Sequence, residues 1–560
     1  MSSRRSRSFA LCCFLLHWSC AGEQPFPPQA PLWHDDDQRP FSNACSHNDK
    51  GELTCMPEVY VSPLAWDAVD NTIFRPISNF FAVDPAGESV DVNAFDEVPD
   101  SSWFQNRLSM HPMSRDELVQ GACGEQTLNV DDPDGSWLID MGKQNGATPG
   151  FRVRTPDGGK YLLKADVAKV AERGSAASVI GSRMYYAAGY NTPCESVIYI
   201  RPSLLTLKPG LTSTDNTGIT RPFDQKALDK MLSRVPHRDG TVLLEASRWL
   251  PNPLLGPFKY EGTRGDDPND VVAHEDRREL RAGKVIAAWL NHFDSREQNT
   301  MNTWISITKD KQGSPGYVRH YYLDFSDSLG SEWDWDGISR RLGYSYYLDF
   351  QHVAEDFISF GTIVRPWERA RRYPGAELFG YFSARDFHPD DWRAGYPNPA
   401  FSRMSERDAA WMARILARIG HEDLRAIIAL ADFSVPRYAQ LMDQILWDRL
   451  RASTARYFSR LSPLAAVELR GDQLCALDLA RHTRIYASSR FQYGARDDGA
   501  RPLLVRVDAT DHVCVQLDHA PGYRVIEISN GATPGPLRAH LYDLGDGHGY
   551  QLVGIERKES

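Results

Sequence analysis

The sequence predicts an α+β chain with two unlike lobes in its middle, an extended segment before them and a small β-sandwich after them. Three stretches carry that prediction. Between Ser136 and Lys164, short alternating runs are separated by glycine-bearing turns, the texture of a small antiparallel sheet. From Arg407 to Phe458, apolar residues recur at helical spacing. From about Ala465 the chain returns to short alternating runs with Gly, Asp and Pro between them, as a sandwich requires.

At 560 residues the chain is too long for a single core. Its 42% hydrophobic and 24% charged residues are those of a globular protein rather than a disordered or fibrous one. The formal net charge of −11 argues against nucleic acid as a partner, because such a surface needs a dense basic face.

Residues 1–21 read as an export signal. Arg4, Arg5 and Arg7 make a positive start, and Phe9 to Leu16 form an apolar core too short to span a bilayer. Two endings fit: an ordinary signal-peptidase site at Ser19-Cys20-Ala21, or a lipidated Cys20 that would attach the chain to a membrane, although His17 stands where a lipoprotein motif has leucine. The Arg4-Arg5 pair is also a weak twin-arginine signal. The expected location is therefore the periplasm, the cell envelope or the exterior. Six cysteines follow the signal: Cys45, Cys55, Cys123, Cys194, Cys475 and Cys514. The even number suits disulfides, with Cys45 and Cys55 placed to close a small loop and Cys475 and Cys514 sharing the C-terminal region. No C-x-x-C spacing occurs among them, which argues against a cysteine zinc site.

Residues 22–110 form the extension. It begins Pro-rich and acidic, then gathers aromatics (Trp66, Phe74, Phe80, Phe81, Phe95, Trp103, Phe104) at irregular spacing. That pattern predicts a segment laid over another domain's surface.

The first lobe, residues 111–250, opens with a strand at Trp137-Leu138-Ile139, a loop holding Gly142, Gly146 and Gly150, and a strand from Phe151 to Arg154. The turn TPDGGK and a third strand, Tyr161 to Lys164, follow. Glycines let backbone amides approach phosphates, and a lysine at a strand end is held by the sheet, so Lys164 with Gly142, Gly146 and Gly150 are candidate nucleotide-binding residues. A helix from Ser175 to Gly189 comes next, with Ala176, Val179, Ile180, Met184 and Ala187 on one face. Its body holds no acidic partner for Lys164; Ser178 takes the inward position, and Glu172 is the nearest substitute. Glu195 to Tyr199 reads as a strand, Leu205 to Asp239 as a polar loop, and Thr241 to Trp249 as a buried strand leading to a hinge at Pro251 and Pro253.

The second lobe, residues 251–464, is predicted to be helical. A helix from His274 to Asn291 delivers the chain onto His292, Asp294 and Asn299, an H-x-D-x-x-x-x-N spacing. Two alternating runs around KDKQGSPG then form a hairpin that exits at Asp324-Phe325-Ser326. Each residue has a chemical reason: Asp294 to orient a hydroxyl or take its proton, and Asn299 and Asp324 to hold magnesium through hard oxygens. His292 belongs to the same catalytic loop. The helices that follow, Arg407–Ile419, Glu422–Ala431 and Tyr438–Phe458, fill out the lobe. In residues 465–560 the candidate strands are Thr483–Tyr486, Leu503–Val507, Val513–Leu517, Tyr523–Ile528, Arg538–Leu541 and Tyr550–Ile555, with no catalytic constellation among them.

These motifs, Leu290-Asn291-His292, Asp294-Ser295-Arg296, Asn299-Thr300 and His320 to Ser331, resemble the atypical bacterial protein-kinase-like families, such as the HipA-like and CotH-like kinases. They are more similar still to uncharacterised exported kinase-like proteins with an LNHxDSRxxNT…HYxxDFGSTLGS pattern. The resemblance covers about Pro99 to Leu461. It implies a bilobal protein-kinase-like fold that binds ATP and Mg2+ through Lys164, Asp294, Asn299 and Asp324. The chain departs from the pattern at Ser326, which replaces a glycine, in the absent helix glutamate, and in a glycine loop without G-x-G-x-x-G spacing. Two functions follow as expectations: an exported phosphotransferase acting on a protein or small-molecule acceptor, or an inactive kinase-fold envelope protein that binds a ligand or partner.

Overall fold

The computed structural model describes residues 26–28 and 35–559, except 62–63, 82–86, 126–127, 129, 131–135, 144–147, 167–170, 216–217, 252, 309–313, 331–335, 499–500 and 546. The expected signal segment, Cys20 and Gly146 lie outside the described residues. The chain is mixed α and β, and three large apolar clusters organise it: one under a sheet, one among helices and one between two C-terminal sheets.

The first sheet is built from β1 (Trp137–Gly142), β2 (Gly150–Arg154), β3 (Lys160–Lys164), β4 (Glu195–Ile200), β5 (Leu205–Leu207), β6 (His237–Arg238) and β7 (Thr241–Arg248), with α1 (Arg173–Ala188) between β3 and β4. Its order is β6-β7-β3-β2-β1-β5, and β4 also pairs with β7. Period-two alternation sends Trp137, Ile139, Phe151, Val153, Leu163, Val242 and Leu244 to one buried face. The expected polar loop over residues 205–239 is corrected here. It holds short strands and a helix, Gln225–Leu232, whose N-terminus is capped by the Asp224 side chain. Leu228 and Leu232, one turn apart, enter the sheet's core from that helix. A two-turn amphipathic pattern is too short to stand out among polar neighbours.

The helical region is crossed by α2 (Arg278–Leu290), which packs against the Glu406–Leu416 and Pro436–Phe458 helices. The expected single helix from His274 is broken: His274–Asp276 forms its own 3-10 turn, and Arg277 is extended at φ −82° and ψ 128°. The hairpin of β8 (Thr300–Ser306) and β9 (Gly316–Tyr322) forms with Thr300 opposite Tyr322, and Leu254–Gly256 adds a third strand. Beyond residue 464 two antiparallel sheets, of four and five strands, share one core. Thr483–Tyr486 is not a strand as expected. The Asp478 carboxylate accepts from the Ala480 and Arg481 amides and starts a short helix, Leu479–His482, whose Leu479 and Ala480 are buried in the helical core.

The extension is tied to the body through buried carboxylates. Asp37 accepts from the Ser102 amide, Asp35 pairs with Arg277 at 2.6 Å, and Asp96 receives Arg278 at 2.7 Å, Arg414 at 3.3 Å, Arg407 at 3.4 Å and Arg557 at 2.7 Å. Arg557 lies on the final strand, so Asp96 joins the helical region to the C-terminal sheets. Three disulfides, Cys45–Cys55, Cys123–Cys194 and Cys475–Cys514, point to an oxidising, extracellular-type environment. Among the described residues no helix is long and apolar enough to cross a membrane.

Candidate functional site

The site lies where the end of β3 meets the loop after β9. Antiparallel register places Lys164 opposite Glu245 of β7, and its Nζ is 3.1 Å from Glu245 Oε1 and 3.0 Å from Asp324 Oδ1. Glu195, at the start of β4 beside the Cys123–Cys194 disulfide, adds a further buried carboxyl near the lysine. Burial opposes the charge on Lys164, but Asp324, Glu245 and Glu195 outweigh it and hold the ammonium protonated. Burial also tends to raise Asp324; Lys164 and Lys143 overcome it and hold that carboxylate below the ordinary range. Glu195 and Glu245 are pushed up, mainly by burial. The acidic partner missing from the helix is therefore supplied by the sheet. Glu172 turns elsewhere, accepting from the Ser434 amide at 3.1 Å, and Ser178 is buried with no hydrogen-bond partner for its hydroxyl among the described residues.

Asp324 sits at φ 52°, in the left-handed region that Asp tolerates better than most residues, at the head of a 3-10 turn. Its Oδ1 also accepts from Ser326 Oγ at 2.9 Å, and 41% of its side-chain surface stays open. The hairpin brings Asn299 to it: the Leu323 amide donates to the Asn299 carbonyl at 2.9 Å. Asn299 Nδ2 in turn donates to the Asp294 carbonyl and to Asp294 Oδ2, each at 2.8 Å. Asn299 Oδ1 and Asp324 Oδ2 remain without hydrogen bonds to described residues. Asp294, Asn299, Asp324 and Lys164 are thus brought to one place.

Asp294 is nearly buried, and burial above all pushes its carboxyl up to about 7; Arg296 opposes this most strongly, and Asp327 and Asp324 add repulsion. Arg296 Nε lies 3.1 Å from Asp294 Oδ1, and its Nη1 lies 3.4 Å from Asp67 of the extension. Arg75, also from the extension, pairs with Glu297 at 2.8 Å. Two extension residues therefore brace the 294–299 loop, a role that its sequence texture does not reveal. Below the loop, Arg449 donates to the Ala288, Trp289 and Ser383 carbonyls and lies 3.6 Å above the Phe387 ring. It thereby satisfies the carbonyls at the end of α2, just before His292.

His292 lies beneath the loop, within the electrostatic reach of Asp324. It is buried, its Nδ1 is 3.0 Å from the Tyr185 hydroxyl, and burial drives its pKa down to about 4. Its role is to pack the loop against α1. The two described glycines have a packing reason: a Cβ on Gly142 would meet the Thr212 carbonyl at 2.3 Å, and one on Gly150 the Leu163 carbonyl at 2.6 Å. The cation that the sequence reading misses is Lys143, between those glycines. Its ammonium donates to the Thr148 carbonyl at 2.7 Å, and burial followed by repulsion from Lys164 lowers it to about 8. A lysine directly after Gly142 is its sequence signal. Asp327, the acid of the SDSLG run, is the other omission; burial raises it, and it interacts with Asp324.

Among the described residues no three His, Cys, Asp or Glu side chains converge as a preformed metal cage. The donor set nevertheless suits a hard cation: an oxygen each on Asn299 and Asp324 without a hydrogen bond to described residues, beside carboxyls of Asp294 and Asp327 that burial and neighbouring carboxylates raise. Such a cation would relieve that repulsion.

No family model, no curated protein and no solved structure matches the chain.

Proposed function

We propose that this is an exported phosphotransferase of bilobal, protein-kinase-like architecture that uses ATP and Mg2+ to modify an acceptor. The observation that carries this reading is the Lys164–Asp324 contact at 3.0 Å, made between the sheet and the loop after the hairpin, with Asn299 hydrogen-bonded to Asp294 beside it. Phosphoryl transfer asks a protein mainly for positioning and charge stabilisation. Lys164 and Lys143 would neutralise phosphate oxygens. Asn299 and Asp324 would hold the magnesium, which would supply charge neutralisation for the phosphates. Asp294 would orient the acceptor hydroxyl and take its proton, a task that a carboxyl near 7 can perform at neutral pH.

A second reading, an inactive kinase-fold envelope protein, draws on one contact. Ser326 stands where the resembling families have glycine, and its hydroxyl occupies Asp324 Oδ1, an oxygen also used by Lys164. The scarcity of ATP outside the cytoplasm favours the same reading. Thermal unfolding with ATP and MgCl2 tests binding: the wild type should shift upward and Asp324→Ala should not. If both fail to shift, nucleotide binding is refuted. If the wild type shifts but transfers no label from γ-labelled ATP to itself or to envelope extracts, the inactive reading replaces the enzyme.

A further inference from the structure

Lys284 is the one residue of α2 whose side chain is not fully buried, and it lines a cavity of about 330 Å³. Two other charged side chains line that cavity, and both are engaged. Arg393 pairs with Asp349 at 2.7 Å, and Asp390 pairs with Arg456 at 2.5 Å. Lys284 Nζ has no hydrogen bond or ion pair among the described residues. Burial, the largest effect, lowers its pKa, with Arg393 adding repulsion; Asp390 and Asp391 attract it without bonding to it. Tyr346 and Tyr396 supply two further walls, and their hydroxyls have no hydrogen bond to described residues.

The cavity shares a wall with the loop that holds Asp294. The Gly395 amide donates to the Phe293 carbonyl at 2.6 Å, and Arg296 lies over the Tyr396 ring at 5.4 Å. Asn398, another lining residue, donates to the Ser295 carbonyl at 3.5 Å. Lys284 is the half-buried charge on an otherwise buried helix, and its ammonium faces the cavity with no counter-charge bonded to it among the described residues. An unpaired cation in a polar cavity of this size fits a small oxyanion.

We propose that this cavity is an anion subsite in which Lys284 Nζ binds a carboxylate or phosphate group, one wall away from Asp294. Its use for the anionic group of the acceptor rests on the phosphotransferase reading; the binding of the anion does not.

The test uses the full mature chain without nucleotide or magnesium, so that the outcome is independent of the Lys164–Asp324 site. Reductive methylation with formaldehyde and a borohydride is followed at the Lys284 peptide by mass spectrometry, in inorganic phosphate, acetate or chloride at equal ionic strength. Lys284 should be slowed several-fold by phosphate or acetate relative to chloride, while exposed lysines are not; the more effective anion distinguishes phosphate from carboxylate chemistry. In parallel, the protecting anion should raise the melting temperature of the wild type and of Lys284→Arg, but not of Lys284→Met. Equal labelling in all three salts overturns the proposal, as does protection that spreads to surface lysines. Protection at Lys284 without any ATP–magnesium shift would leave the subsite standing and remove the phosphotransferase reading instead.

Discussion

Lys164 of β3 and Glu245 of β7 face each other across neighbouring antiparallel strands, with Nζ and Oε1 3.1 Å apart and both side chains almost wholly buried. The pair is therefore part of the sheet's construction as well as of the site. Replacing Lys164 with Met strands Glu245 and Glu195 in the interior. Removing one partner of a buried pair typically costs about 3–5 kcal/mol. The double change Lys164→Met/Glu245→Gln should recover much of that loss. Urea denaturation of the four proteins forms the cycle; a Lys164→Met variant as stable as wild type would refute the buried pair.

Asp294 gives the protein a pH signature. Its carboxyl is raised from an ordinary 3.8 to about 7, so the folded state holds this proton more tightly than the unfolded chain does. The contribution to stability is then greatest below about 4 and is lost as pH rises from there through about 7. Asp294→Asn should flatten the melting temperature over that window relative to wild type. A catalytic role adds a second expectation: transferase rate should rise with pH through about 7, because the base must be ionised.

Arg449 reaches three carbonyls, and among the described residues no carboxylate pairs with it. Burial lowers its pKa to about 9, Tyr344 opposes that shift, and backbone carbonyls and the Phe382 and Phe387 faces hold the cation. Arg449→Leu would remove the donor from the Trp289 and Ser383 carbonyls, at about 1–3 kcal/mol each for a buried polar group, while the Ala288 carbonyl keeps the Asn291 amide. The variant should lose several kcal/mol by chemical denaturation, and hydrogen exchange should rise first at the 288–295 backbone.

The Cys123–Cys194 bridge closes a long loop, with a sequence separation of 71 residues. Chain-entropy reasoning gives such a crosslink roughly 4 kcal/mol. Cys123→Ser/Cys194→Ser should therefore unfold at lower denaturant than the same change at Cys45 and Cys55, whose separation is 10. Equal losses at the two bridges would refute the loop-length argument.

What the sequence discloses depends on range. The three opening strands and the hairpin before Asp324 are legible because period-two alternation and glycine-bearing turns act within a few residues. Asp294, Asn299 and Asp324 are legible as a set because the hairpin between them returns the chain to its starting point. The Lys164 partner is hidden for the opposite reason: Glu245 becomes its neighbour only through strand pairing 81 positions later in the chain. Its signal is a single acid inside the apolar run TVLLEASRW. Asp67 and Arg75 are further out of reach, since nothing local in an aromatic-rich segment says which distant arginine or glutamate it will meet. At His292, Gly142 and Gly150 motif position points toward chemistry, and burial or backbone crowding adds a packing reason for the same residue.

Asp96 carries a consequence for how the chain is made. Its arginine partners lie at positions 278, 407, 414 and 557, and the last is 461 residues away. During synthesis this carboxylate emerges early and must wait for the final strand before all its counter-charges exist. The protein cannot finish maturing piecemeal from its N-terminus. Arg557 fastens Asp96 from the far side of the molecule, so loss of that one arginine would act as a defect in assembly of the whole rather than as the loss of an appendage.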